Sequence, residues 1–368
     1  MKPLDEGRLT VRQAVLLMVI LRLIHVIVFL PELTSPPANQ DVWISEIISL
    51  PIVFLLALPV LALTSRYPEH SLVQQAEVVL GPAGKVIGFL YAWFFFHFTA
   101  ITLSKVGLFM TAAVLPQTPL LAFTLPLVIV GASAARNGIG PIGTIAEVLV
   151  PPILLVVLLV PVLAIKDFDL RMFQPVLENG LGPVLHGGGT IAARMAEVAV
   201  LGMIAPLLRR KDKATRVAVG AFTLATFFVL LVTLPVLGVL GPEESRSRTF
   251  AYFTLIRMIS IGEFVERIEM LHVLIWVLGA FVKLSVWYYL AALALAQATN
   301  LPSWRPLVLP LGLLAVVLSI YQFPNLPALI EFASYRIWAP YVLVFTTVIP
   351  ALLLLVTLLR RTGRRKSG

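Results

Sequence analysis

Residues 249–301 read TFAYFTLIRMISIGEFVERIEMLHVLIWVLGAFVKLSVWYYLAALALAQATNL. A charged amphipathic stretch passes directly into an apolar run over 268–298, long enough to cross a hydrocarbon core as one helix. That run still holds His272 and Lys283. Ionisable side chains in a lipid-length helix are costly, so they turn toward protein or water and tend to be kept for function. His272, Trp276, Lys283 and Trp287 recur at helical spacing and predict one polar and aromatic stripe.

Outward from this segment the same apolar pattern repeats. The 368 residues are 59% hydrophobic and 13% charged, against about 25% charged in soluble domains, and the mean hydropathy is +0.96. Ten apolar spans are predicted, roughly 13–33, 43–64, 85–115, 120–135, 142–165, 191–208, 217–240, 268–298, 305–322 and 338–359. The fold class is an all-α polytopic membrane protein, one transmembrane domain over residues 1–368. Thr10 with Gln13 predicts a capping box before the first span, and Pro306 suits the first turn of the ninth. The opening MKPLDEGRLTVRQ has no small-residue cleavage site, so the first span is expected to remain as an anchor.

Charge sidedness orients the chain. Of the 28 Lys and Arg residues, 17 fall in segments on the face shared by the two termini and seven on the other, with Arg22, Lys105, Arg194 and Lys283 inside spans. The positive-inside rule therefore places both termini in the cytoplasm. The basic loop RRKDK (209–213) and the tail RRTGRRKSG (360–368) fit topology and anionic lipid headgroups. Ten spans divide into five and five, and an odd half inserts upside down when repeated. The reading is an inverted repeat, about 10–165 and about 190–360, with spans one and six as counterparts. Span one carries Arg22 and His25 and ends in Pro31-Glu32; span six is short, carries Arg194 and Glu197, and follows Gly187-Gly188-Gly189, read as a hinge. Both are expected to be interrupted. Residues 71–80 predict a short helix along the cytoplasmic surface, and 241–267 the largest outer element, with an amphipathic helix presenting Arg257, Glu263, Glu266 and Arg267.

Arg22, Lys105, Arg194, Lys283, Glu46, Glu147 and Glu197 fall inside spans, as do His25, His97 and His272. At about 2.5–3.5 kcal/mol each near a helix centre, exposing the seven non-histidine groups to lipid costs about 20 kcal/mol. That exceeds the stability of a typical fold, about 5–15 kcal/mol. Most must face one another or a wet cavity, as structural ion pairs or as a site. Enzymatic chemistry has no support: there is no cysteine, no metal-ligand spacing among the five histidines, and no P-loop, GxSxG or dinucleotide fingerprint. No cofactor or metal is implied, and no nucleic-acid motif is present.

GRLTVRQA (7–14), NQDVW (39–43), YPEHSLVQQAEVVLGPAGKVIGFLY (67–91), LPQTP (115–119), LLRRK (207–211) and LGPEE (240–244) form an ordered set. With ISIGEFVERIEMLHVLIWVLGAFVKLS (259–285) and RPLVLPLGLLAVVLSIYQFPN (305–325), the chain resembles the spore germination receptor B-subunit family, the GerAB-type permease-like proteins. The resemblance implies the amino acid–polyamine–organocation superfamily with a LeuT-type five-plus-five repeat. It implies residence in the spore inner membrane beside an A subunit and a lipoprotein C subunit, and sensing of a small germinant, often an amino acid. Relatives tend to have glycine in mid helix one where this chain has His25 and Val26; after Gly138 many have glutamate then arginine where this chain has Gly140 and Thr144. Glu197 resembles the family's acidic residue in helix six.

The expected site is a midplane pocket for a zwitterionic germinant. Its carboxylate would meet helix-one N–H groups near His25, Val26 and Ile27, and its ammonium Glu197 and carbonyls freed beside Ala193 and Arg194, with Lys283 facing in. Arg22, Lys105 and Glu147 are read as coupling or structural charges. A proton- or sodium-coupled amino-acid transporter of the same fold is the first alternative, and a scaffold that anchors a receptor complex is the second.

Overall fold

A computed structural model describes residues 7–259 and 268–360. Of the expected outer amphipathic element, Arg257 lies exposed on a short helix over Ala251–Met258, while Glu263, Glu266 and Arg267 lie outside the described residues, as does most of the basic tail. Among the described residues the chain is helical with no strand; an isolated bridge pairs Leu9 with Leu208 and ties the start of the chain to the loop after the sixth span.

The first helix, α1 (Val11–Phe29), begins at the expected capping box: Gln13 N donates to Thr10 Oγ1 at 3.1 Å and Thr10 N to Gln13 Oε1 at 3.0 Å. Helix α2 is Val42–Arg66, and α3 (Leu72–Leu80) starts at a second capping box on Ser71. This is the short helix expected over 71–80, and it buries Leu72, Val73, Ala76 and Val79 against α4 (Gly84–Phe109). Helices α5 (Leu121–Asn137) and α6 (Ile139–Leu163) meet at a corner on Gly138, whose φ of 89° suits glycine. Then come α7 (Leu181–Ala193), α8 (Glu197–Ile204), α9 (Ala214–Ser247), α10 (Ala251–Met258), α11 (Ile268–Ala298), α12 (Arg305–Tyr321), α13 (Leu326–Phe332), α14 (Tyr335–Leu343) and α15 (Ile349–Leu359).

Each of the ten expected segments coincides with helix. Among the described residues eight segments are long and apolar enough to cross a membrane, and a ninth if α12 and α13, bent by 105°, form one span. Helix α5, with 17 residues, is shorter. Burial sorts them: 78% of the apolar stretch of α1 and 94% of that spanning α7 and α8 are enclosed by protein, against 33% for α2 and 28% for α6. The peripheral helices spend their hydrophobic surface on lipid, so α1 and α7–α8 form the centre. The protein is an all-α polytopic membrane protein.

Two expectations about the central helices need correction. Helix α1 runs without a break through His25, Val26 and Ile27 to Phe29. No glycine or proline lies within α1, and the N–H groups near 25–28 are spent on helical bonds, so no half-helix start is available there. The backbone departs only at Leu30 (φ 33°, ψ 59°), the left-handed residue that caps α1 just before Pro31. The Gly187-Gly188-Gly189 run is not a hinge either. It lies inside α7, which starts ten residues before the predicted span six. A Cβ on Gly187 would fall on the Pro36 carbonyl, and one on Gly188 would stand 2.7 Å from Ile48 Cγ2. Gly187 and Gly188 let α7 approach α2 and the segment before it.

Candidate functional site

The expected interruption of span six is present. Helix α7 stops at Ala193, a tight turn follows in which Arg194 N bonds the Ile191 carbonyl (3.2 Å) and Met195 N the Ala192 carbonyl (3.2 Å), and α8 restarts at Glu197. Arg194 and Glu197 thus sit at a break in the most enclosed segment. Glu197 occupies the first turn of α8, where the helix dipole favours a carboxylate.

Arg194 does not neutralise Glu197. It turns to Glu32, in the 3-10 turn Pro31–Thr34 that follows α1. Arg22 Nη2 donates to Glu32 Oε1 at 2.5 Å, and Arg194 Nη2 lies 3.6 Å from the same oxygen. All three side chains are buried, so one carboxylate serves two guanidinium groups taken from α1 and from the α7 end. Arg22 Nε, Arg194 Nε and Nη2 and Glu32 Oε2 remain without a hydrogen-bond partner. A second buried carboxylate, Glu46, accepts from Thr233 Oγ1 at 2.5 Å.

Helix α11 lies against α1 as the stripe predicted. Gly279 allows the approach, since a Cβ there would strike Ile24. Lys283 Nζ donates to the Leu21 carbonyl, Trp276 Nε1 to the Ile24 carbonyl at 2.8 Å, and His272 bonds the Ile27 backbone. Carbonyls about one turn apart on α1, at Leu21 and Ile24, therefore carry side-chain bonds in addition to the helical ladder. Trp287, the last of the stripe, packs its ring 4.5 Å from that of Phe98.

Between α1, α4, the α7–α8 break and α11 lies a cavity of about 40 Å³. Arg22, His25, Lys105, Arg194, Glu197 and Lys283 all line it, with Phe29, Phe98, Thr102, Trp276 and Trp338 among the remaining wall. Lys105 Nζ stands 2.6 Å from His25 Nδ1, 5.0 Å from the Trp338 ring and 5.5 Å from that of Phe29. His25 stacks between those two rings, at 5.8 Å from Phe29 and 6.3 Å from Trp338. Beyond this layer a vestibule of about 530 Å³ shares His25, Phe29, Lys105 and Ala333 with the cavity and reaches Arg246, Arg248, Glu331 and Arg336. At about 10–15 Å³ each, a few waters would fit the inner space, and a larger occupant would have to displace a wall side chain such as Phe29 or Trp338.

Of the ten residues singled out in the sequence, six line this chamber. Val26 and Ile27 are buried on α1 but do not line it, and Ala193 is one turn short of it, where Ala196 takes the wall position. Glu147 is elsewhere: it pairs with Arg12 Nε (3.3 Å), accepts from Gln13 Nε2 (3.0 Å), and is a third exposed. His97 bonds the Tyr341 hydroxyl at 2.9 Å, and His272 is enclosed by Tyr252 and Phe253. Sequence reasoning missed the role of Glu32 and the place of Trp338 in the aromatic wall. Counterion arithmetic could have found Glu32, since Arg22 and Arg194 needed an acid and the nearest one after span one is there. No local signal marks Trp338, which arrives from a distant helix.

Taken together, these features describe a multi-pass helical membrane protein with a charged internal chamber at the junction of its two most enclosed segments. Residues 8–326 match the spore permease family model, described as spore germination protein, and the chain belongs to that family. It is 24% identical over 373 residues to spore germination protein KB of Bacillus subtilis (strain 168), covering 99% of this chain and 98% of that protein. It is 22% identical over 322 residues to spore germination protein YndE of the same organism, covering 87% and 88%. It is likewise 21% identical over 338 residues to that organism's spore germination protein A2, covering 90% of each.

Proposed function

We propose that the chain is the permease-like subunit of a spore germinant receptor, and that it binds a small germinant in the chamber between α1, α4, α7–α8 and α11. The observation that carries this reading is the broken span six, which sets Arg194 and Glu197 against the polar face of α1 in a chamber joined to a vestibule. Discontinuous helices meeting at mid-depth are how permease-like folds build a small-molecule site. The family and the span of the curated relatives support the receptor role. The reading includes ten crossings arranged as two inverted repeats of five, about 10–165 and 190–360, with both termini cytoplasmic, in the spore inner membrane. A and C receptor subunits are the partners, and the amino-acid character of the germinant is part of the proposal. Binding acts by favouring one of two conformers, which requires different affinities for the two. Direct binding to the purified chain in nanodiscs, screened over amino acids, sugars and nucleosides, tests it; saturable binding weakened by Glu197→Gln is expected, and a folded chain that binds none of them overturns it.

A coupled transporter of the same fold is the second reading, favoured by the 105° bend between α12 and α13 and by the vestibule that opens the chamber toward one face. Counterflow in liposomes separates the two: exchange of labelled substrate supports transport, and saturable binding without flux supports sensing.

A further inference from the structure

The walls of the chamber are not charge-balanced. Arg22, Arg194, Lys105 and Lys283 are four formal cations lining one cavity, and Glu197 is the carboxylate lining it with them. Glu32 stands behind, shared by the two arginines. Glu46 is the next acid in reach, within the electrostatic range of Glu32 and Arg22. Counting all three acids, the cations still exceed them by one.

The excess has no relief among the described residues. No carboxylate lies within 4 Å of Lys105 or Lys283; Lys105 touches the neutral-capable His25 and two aromatic faces, and Lys283 a backbone carbonyl. Lys105 is within electrostatic range of Lys283, Arg194 and Arg22 together. Arg194 keeps Nε and Nη2 without a hydrogen-bond acceptor although its side chain is 3% exposed. A guanidinium edge of that kind is shaped for a carboxylate. The approach has the same sign: Arg246 and Arg336 line the vestibule against Glu331, while Arg248 is held by Glu244. A cation-lined funnel with low-dielectric walls concentrates anions.

We propose that the chamber takes a small organic molecule of net negative charge, an amino acid with a second carboxylate, rather than a neutral zwitterion. This rests on the ligand-binding reading above and names the ligand's charge class. A zwitterion brings no net charge and leaves the surplus cation unmatched, whereas a ligand of charge −1 cancels it. One carboxylate meets Arg22 and Arg194, the other Lys105, and the ammonium meets Glu197. In the empty chamber Lys105 lies against His25, and the incoming carboxylate replaces that contact.

The test is calorimetry and thermal unfolding of the full chain in nanodiscs of neutral lipid, in gluconate buffer, with L-glutamate, L-aspartate, L-alanine, L-lysine and potassium chloride as probes. Glutamate or aspartate is expected to bind saturably at least tenfold tighter than alanine, and L-lysine not to bind. Lys105→Met, which breaks no ion pair with a carboxylate, is expected to cut the affinity for the acidic amino acid at least tenfold and with it the preference over alanine. Its thermal midpoint reports that it is folded. Equal or tighter alanine binding overturns this inference and leaves the proposed function standing. Saturation by chloride alone, with no competition from glutamate, overturns it as an inorganic-anion site. No binding by any probe, in a chain that also fails the wider sugar and nucleoside screen, overturns both.

Discussion

The two most enclosed segments of this protein, α1 and α7–α8, solve the same problem differently. Both carry an arginine in the membrane interior, and both arginines find the same acid, Glu32. Helix α1 stays intact past its arginine and yields only at Leu30, before Pro31. The other segment breaks at Arg194, midway, and restarts on an acid. The difference follows from what lies beside each. Side chains from α11 bond the α1 carbonyls at Leu21 and Ile24 without displacing the helical ladder, so α1 is braced along its length. Among the described residues the end of α7 has no such brace, and the N–H groups of Arg194 and Met195 close a tight turn on Ile191 and Ala192. One helix is a rigid post; the other provides the corner where polar groups converge.

The largest effect is expected at the acid the two segments share. Glu32→Gln leaves Arg22 and Arg194 buried without a counterion, and removing one partner of a buried pair costs about 3–5 kcal/mol. A lowered thermal midpoint in detergent, or loss of folded material, is the expected result. Unchanged stability of Glu32→Gln would show that the arginines draw their compensation from elsewhere, and the comparison of the two segments would lose its common anchor.

Next in size is the glycine run of α7. Gly187→Val drives a side chain into the Pro36 carbonyl and Ser45 Oγ, and overpacking of this kind costs about 1–3 kcal/mol. Gly189 has open space around its Cβ position, so Gly189→Ala is expected to stabilise by about 0.5–1 kcal/mol through helix propensity. Opposite signs two residues apart, measured as thermal shifts, distinguish close helix approach from a hinge. A hinge would lose function in both.

Much of this was legible in the chain before its fold was known. Long apolar runs interrupted by charge report membrane helices because lipid leaves backbone groups no other partner, so the all-α class and most of the apolar segments followed directly, while the sixth begins ten residues before its predicted start. The capping residues Thr10 and Gln13 marked the start of α1 by local chemistry. The stripe His272, Trp276, Lys283 and Trp287 pointed inward as its spacing required. What failed was non-local. Whether three glycines bend a helix or admit a neighbour depends on α2, which lies more than 120 residues earlier in the chain. Whether Arg194 serves Glu197 or Glu32 depends on how α1 ends beside it. Glu147 has the same composition-level signature as Glu197, an acid in an apolar run, yet lies where Arg12 can reach it.

A smaller effect sharpens the bracing of α1. Trp276→Phe keeps the ring and removes the Nε1 bond to the Ile24 carbonyl. The carbonyl retains its place in the helix, so the cost is that of one ordinary hydrogen bond, about 0.5–1.5 kcal/mol. If α1 is held straight by α11, the substitution should also increase amide exchange at residues 24–28. A stability loss with no change in exchange there would assign Trp276 to packing alone.

The smallest effect is expected at Glu147, and it closes the comparison from the outside. Its partner Arg12 is about two-thirds exposed and the acid itself one-third, with a 3.3 Å contact. Water screens such a pair and the long side chains lose freedom in making it, so it contributes about 0–1 kcal/mol. Glu147→Gln keeps a hydrogen-bonding group for Gln13 and should leave the thermal midpoint and ligand affinity within error of the parent. The same change at Glu197, which lines the chamber within electrostatic range of Lys105 and Lys283, should alter ligand affinity with little change in stability. Glu147→Gln and Glu197→Gln thus make one chemical edit in two apolar runs, and they separate an acid kept for its surroundings from one kept for an occupant. Loss of ligand affinity in Glu147→Gln would mean that proton or ion coupling reaches the chamber from the α6 side, and the rigid post would have to be redrawn as part of the moving machinery.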